Sequence, residues 1–211
     1  MLFRSAEIAV IARPNSSHYA AFFQQDAIRS RLYRLGAPVD IYANSDLAQI
    51  PPDRYKLIVV LLCQRLSAAE AAAFDKLKRN GATIVWSMGS GYLSEIGFSI
   101  PAMTRLTGFQ FESANGDRPN THSDLPYMLC GSNRKRSYVP GMTMSQSGAA
   151  YFILKDIRPE ELLGCDQEGR AVYAIRRMSG WQSVAYPGYA PDETALRELA
   201  RRAGVHIYAD D

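Results

Sequence analysis

Hydrophobic positions along this chain fall into two kinds of pattern, near-continuous apolar runs and stretches with apolar residues at three- and four-residue steps. The runs are Ala6–Ala12 (Ala-Glu-Ile-Ala-Val-Ile-Ala), Lys56–Cys63 (Lys-Leu-Ile-Val-Val-Leu-Leu-Cys) and Ala82–Trp86 (Ala-Thr-Ile-Val-Trp). Runs of this kind suit strands buried on both faces, as in a parallel sheet. Helical spacing lies between them. Tyr19, Phe22, Phe23, Ile28, Leu32 and Leu35 predict a long helix capped by Ser16 or Ser17 and ended by Gly36. Ser67 with Glu70 three residues on is a capping box, which opens a helix over Ala68–Asn80 with Gly81 as its left-handed exit. Pro38–Tyr42 supplies a short second strand.

After Gly91 the pattern loosens. Pro101–Leu106 reads as a short helix, and residues 116–138, rich in Gly, Asp, Pro, Asn and Ser, as a long loop or arm. Strands return at Ala149–Leu154, Ala171–Arg176 and Trp181–Tyr186, the last two forming a hairpin through Ser179-Gly180. Glu161–Gly164 and Gln167–Gly169 read as turns. Pro191-Asp192-Glu193 opens a last helix with Pro at its first position, and Leu196, Leu199, Ala200 and Ala203 form its apolar face. Gly204 closes it, and Val205–Tyr208 reads as a final strand. Strands alternating with helices on short loops predict an α/β fold, a flavodoxin-like three-layer sandwich with a mostly parallel sheet and an added antiparallel hairpin. Residues 1–211 make one domain.

Composition narrows the function classes. With 24 basic against 21 acidic residues and one short basic cluster, Arg134-Lys135-Arg136, no electrostatic footprint for nucleic acid is present. No run reaches the ~18 apolar residues of a membrane span. Three scattered cysteines, Cys63, Cys130 and Cys165, exclude a CxxC pair and fit a reducing compartment. Met1–Ser5 lacks the plan of a signal peptide, so the cytoplasm is the expected location unless a leader has been removed. No cofactor motif and no metal-ligand spacing of His18, His122 and His206 appears, so neither is expected.

Four stretches together carry a resemblance. They are Leu32-Tyr33-Arg34-Leu35-Gly36-Ala37-Pro38-Val39-Asp40, Tyr55–Val60, the unit from Leu66 to Val85, and Leu196–Tyr208 with its Leu-Arg-Glu-Leu-Ala-Arg-Arg-Ala-Gly-Val-His-Ile-Tyr. They resemble the trimerisation domain of family 42 β-galactosidases and related glycoside hydrolase-like proteins. The resemblance spans most of the chain and is weakest from Gly116 to Tyr138. It implies a class I glutamine amidotransferase-like fold, excised from a longer multidomain chain. It also implies a non-catalytic role, in a homo-oligomer or packed on a catalytic barrel, with carbohydrate near that interface. The Gly116–Val139 segment, bearing Tyr127, Met128, Leu129 and Tyr138, is either a partner-facing arm or a plain loop.

Enzymes of the implied fold place a nucleophile on the sharp turn after a central strand. Here that turn is Ser87-Met88-Gly89-Ser90-Gly91, with glycine where G-x-C-x-G needs the nucleophile. Ser90 has no histidine beside it in sequence. Cys63 ends a buried strand, where Arg65 and the helix start at Ser67 favour a thiolate and simple burial favours an inert thiol. A second reading therefore stands beside the first. In it, the loops at the carboxyl edge of the sheet bind or hydrolyse a small molecule through Arg13, Asn15, Ser16, Cys63, Gln64, Ser87, Met88, Gly89 and Ser90.

Overall fold

The computed structural model describes residues 5–13, 30–87, 89–94, 97–113, 128–129, 137–138, 152–166, 168–188 and 190–208, with backbone alone at 128–129 and 137–138. Most of the helix expected before Leu35, and all but four residues of the 116–138 arm, lie outside them.

The apolar runs form strands because no other element buries both of their faces. β1 (Ile8–Ala12), β2 (Val39–Ala43), β3 (Leu57–Leu61) and β4 (Thr83–Trp86) are parallel, in the order β2-β1-β3-β4. Two short hairpin strands, β5 (Leu93–Ser94) and β6 (Gly97–Phe98), follow at the carboxyl edge. Then come β7 (Gln110–Ser113), β8 (Met128–Leu129), β9 (Ser137–Tyr138), β10 (Phe152–Lys155), β11 (Leu162–Cys165), β12 (Ala171–Arg177) and β13 (Gln182–Ala185). β13 joins β4 in parallel, which completes the flavodoxin-like order β2-β1-β3-β4-β13. β12 turns back on β13 as the expected hairpin, and β11, β8 and β9 extend the sheet antiparallel to nine strands. β7 and β10 pair separately.

Helices cover both faces. α1 (Ala68–Leu77) starts on the predicted box: Ser67 accepts from Glu70 N–H at 3.2 Å, and Glu70 accepts from Ser67 N–H at 2.7 Å. It ends at Leu77, three residues before the expected Asn80, and lays Phe74 and Leu77 against Ile58, Val60 and Trp86. On the other face α3 (Glu193–Arg202) packs Leu196 and Leu199 on Val10, Val59 and Val184. Full burial of each such leucine contributes about 1.5–3 kcal/mol. α2 (Ile100–Thr107), the short helix of the middle segment, begins on Ser99, whose hydroxyl accepts from Ala102 N–H.

Three expectations need correction, and β7 is an addition to them. Val205–Tyr208 is not a strand, because its N–H groups find other acceptors: Val205 bonds to Ala200, His206 to the Glu7 carboxylate, and Tyr208 to Gly36. Pro191 precedes α3 instead of opening it, since the Asp192 side chain is the N-cap and accepts from Ala195 N–H at 2.9 Å. Leu162–Cys165 is a strand where turns were expected, a point taken up below. β7 was not anticipated, since Gln-Phe-Glu-Ser shows only a short, weak alternation.

Candidate functional site

The carboxyl edge of the parallel strands gathers most of the residues singled out from sequence. After β4 the chain turns through Ser87, Gly89, Ser90 and Gly91. Gly89 has φ of 72°, the left-handed region in which glycine is unstrained. Both serine hydroxyls are committed to the turn. Ser87 Oγ accepts from Leu62 N–H at 3.2 Å, and Ser90 Oγ donates to the Ser87 carbonyl at 2.8 Å. Both residues are buried, at 3% and 2% exposure. Each hydroxyl therefore braces backbone, and among the described residues no imidazole stands by to activate it: His206 is exposed and lies with Ser5, Glu7 and Pro38. Leu62, opposite, adopts φ of 57°, a strained value for a leucine.

Cys63 follows on the same edge and is wholly buried. Burial pushes its thiol up to about 12, with the Arg13 cation working the other way and the Glu70 carboxylate adding to the rise. The Sγ–H donates to the Leu61 carbonyl at 3.4 Å. A thiol held this way is protonated at neutral pH and a poor nucleophile. Arg13 reaches over this edge to the Arg65 carbonyl and stands 3.9 Å from Glu70, which also accepts from the Asn44 amide. Burial opposes the Glu70 charge, but the Ser67 backbone and hydroxyl donors, Asn44 and Arg13 outweigh it and hold the carboxyl below its ordinary value. Gln64 adjoins Gly89, and its Oε1 is buried with no hydrogen-bond partner among the described residues. Asn15, Ser16 and Met88, named with these residues from sequence, lie outside the described residues, as do His18, His122 and Cys130.

Behind the turn a cavity of about 20 Å³ lies between the serines and an apolar wall that includes Met103, Phe111, Phe152, Leu154 and Tyr186. That volume accommodates a water molecule and not a sugar ring. Among the described residues no group of His, Cys, Asp and Glu is placed to hold a metal ion, and no helix is long and apolar enough to cross a membrane.

Sequence reasoning passed over the most polar buried cluster. Glu161 is 3% exposed and takes two bonds from Arg176, Nε at 2.9 Å and Nη2 at 2.8 Å, with a third from Arg158 Nη2 at 2.8 Å. The Arg176 bonds outweigh the cost of burial, and with Arg158 they hold the carboxyl down at about 2. Arg176 also donates to the Gly108 and Asp156 carbonyls and lies over the Phe109 ring. This ties β12 to the end of α2 and to the turn before β11. Fifteen residues separate Glu161 from Arg176, so no sequence spacing announces the pair.

No protein-family model matches the chain, and no curated protein matches it. Solved structures do. The β-galactosidase of Bacillus circulans sp. alkalophilus superposes with a TM-score of 0.64 at 15% identity, covering 97% of this chain and 32% of that one. The β-galactosidase of the Antarctic haloarchaeon Halorubrum lacusprofundi gives 0.63 at 15% identity over 97% of this chain and 31% of the other. A catalytic mutant of Gan42B, a GH42 β-galactosidase from G. stearothermophilus, gives 0.62 at 16% identity over 96% and 31%. The chain thus has the fold of a segment of these proteins and spans about a third of their length.

Proposed function

We propose that this chain is a non-catalytic association domain of a β-galactosidase or glycoside hydrolase-like protein, amidotransferase-like in its fold, serving self-association or packing against a catalytic barrel. The observation that carries this reading is the match of nearly the whole chain to about a third of several β-galactosidases. The turn after β4 supports it. In that turn glycine stands where a nucleophile is needed, and the two serine hydroxyls on either side are spent on backbone. A domain that only associates needs the shape of that turn and not its reactivity.

Light scattering across a concentration series tests the associative part, with an oligomer expected. A species that stays monomeric at the highest concentration removes self-association. Hydrolysis of a nitrophenyl galactoside by the purified chain would overturn the non-catalytic part.

A second reading, a binder or hydrolase of small molecules at the carboxyl edge, draws on one observation. Gln64, beside Gly89, buries its Oε1 with no hydrogen-bond partner among the described residues, on the edge where open α/β sheets bind ligands. The same reading takes in Gly89 and, outside the described residues, Asn15, Ser16 and Met88. Rapid alkylation of Cys63 below neutral pH would favour it. With the thiol pushed up to about 12, slow alkylation is expected.

A further inference from the structure

We propose that the carboxyl edge carries a strained latch. The left-handed kink at Leu62, pinned by the Ser87 hydroxyl, lets the loop after β3 and the turn after β4 open together while the sheet beneath stays folded.

The alternation of side chains locates the kink. Along β3, Leu57, Val59 and Leu61 pack in the cluster under α3, and Ile58 and Val60 in the cluster under α1. A period of two would send Leu62 to the α1 side. It packs instead with Leu61 on the α3 side, and Cys63 takes the α1 side. The left-handed backbone at Leu62, with φ of 57°, makes that change of face. Three non-glycine residues among those described adopt this region, and the other two, Asn80 and Asp156, are types that tolerate it. Leu62 therefore carries strain, which persists only where the surroundings hold it in place.

Those surroundings are a stepped ladder of hydrogen bonds. The Val60 carbonyl accepts from Ser87 N–H at 3.1 Å, continuing the pairing of β3 with β4. Beyond the kink, the Cys63 carbonyl accepts from Gly91 N–H at 2.9 Å and the Gln64 carbonyl from Leu93 N–H at 2.8 Å. The loop has thus stepped over the turn that lies between Ser87 and Gly91. Ser87 Oγ fills the step by accepting from Leu62 N–H at 3.2 Å. Because the loop and the turn are bonded to each other above the step, they move as a pair. Gly89 and Gly91, with φ of 72° and 77°, let the turn change shape without strain of its own.

Opening the latch relieves the Leu62 backbone and uncovers little beyond Leu62 and Cys63. Unfolding the sheet exposes strands buried on both faces, such as Leu57–Leu61 and Thr83–Trp86. The edge therefore yields before the sheet does. Cys63 reports on it, since its buried thiol meets solvent when the latch is open.

The test is alkylation of Cys63 by iodoacetamide in the intact chain, read at its peptide by mass spectrometry over urea concentrations below the unfolding transition. Ser87→Ala and Ser90→Ala are run beside the parent, and the global stability of each is taken from urea unfolding. The parent's alkylation rate is expected to depend on urea far less steeply than global unfolding does, because a local opening exposes little surface. Ser87→Ala leaves the Leu62 N–H without that acceptor, and a rise in rate of about tenfold is expected beyond any change in global stability. Ser90→Ala removes an equally buried hydroxyl that bonds the turn's own backbone, and no such rise is expected. An alkylation rate as steep in urea as global unfolding overturns the latch. A Ser87→Ala rate that follows global stability alone, or that Ser90→Ala matches, overturns the part given to Ser87. Should Ser87→Ala fail to fold, the parent's urea dependence decides.

Discussion

In the parallel half of the sheet, β2-β1-β3-β4-β13, strands meet helices through side chains such as Ile8, Leu57, Ile84, Val184, Phe74 and Leu199, each essentially without exposure. In the antiparallel half, β11 is clamped at both ends by buried acids. Glu161 precedes it, held by Arg176 and Arg158, and Asp166 follows it at 1% exposure, bonded by Arg170 Nε at 2.7 Å and by the Arg170 and Glu168 N–H groups. These two are the only charged residues buried among those described. Between them Leu-Leu-Gly-Cys pairs with β12 through two register shifts. The difference is instructive: one half is held by apolar packing alone, and the other adds buried, ion-paired acids to its apolar contacts.

The sharpest way to break this comparison is to remove Glu161. Glu161→Ala leaves the half-buried Arg176 with its main partner gone, and a loss of about 1.5–3 kcal/mol is expected in urea unfolding followed by tryptophan fluorescence. A loss below about 1 kcal/mol would mean that the arginines relax to solvent and the clamp is ornamental. Acidity separates the two halves further. The folded carboxyl of Glu161 is depressed to about 2, against roughly 4.3 for an unfolded glutamate. Its contribution is therefore complete above the unfolded value and fades as pH falls through the folded one. The deficit of Glu161→Ala should accordingly shrink as pH drops from 5 toward 2, whereas a core truncation in the parallel half has no such titration behind it.

The same contrast governs what could be read from the sequence. Runs such as Leu57–Leu61 and Thr83–Trp86 announce themselves because burial on both faces demands uninterrupted apolar residues. The Ser67–Glu70 box is local and was equally plain. β11 was mistaken for turns because its glycine and flanking acids look like loop chemistry, and only tertiary pairing with Arg176 and Arg170 turns those acids into anchors. Val205–Tyr208 failed the other way: an alternating pattern without a free ladder to join. At the carboxyl edge, the glycine in the turn after β4 was visible as a missing nucleophile. The commitment of Ser87 to Leu62 N–H and the burial of Cys63 were not, since both depend on how β3 and β4 sit side by side.

Gly108 tests the seam between the halves. It caps α2 with φ of 78°, donates to Thr104 at 2.8 Å, and offers its carbonyl to Arg176 at 3.0 Å. A Cβ added there would stand 2.5 Å from Met178 Cε. The methionine end is free to swing aside, so the left-handed backbone sets most of the cost. Gly108→Ala should lose about 1–2 kcal/mol. A larger loss, accompanied by the pH dependence expected for Glu161, would show that the Arg176 contact moves with the cap and that the two halves are coupled through it.

The smallest effect belongs to the parallel half. Ser67→Ala removes the hydroxyl that accepts from Glu70 N–H and donates to the Glu70 carboxylate at 2.9 Å, and a loss of about 1 kcal/mol is expected for such a cap. Glu70 keeps the Ser67 N–H, the Asn44 amide and Arg13 after the substitution, so the carboxylate should stay in place and the rest of the edge with it. Arg13 is the connection to watch. Because the Arg13 cation acts against the rise of the Cys63 thiol, a Ser67→Ala chain in which Cys63 becomes readily alkylated would show that the cap also holds the edge shut. Unchanged slow alkylation with the expected 1 kcal/mol confines the cap to its helix.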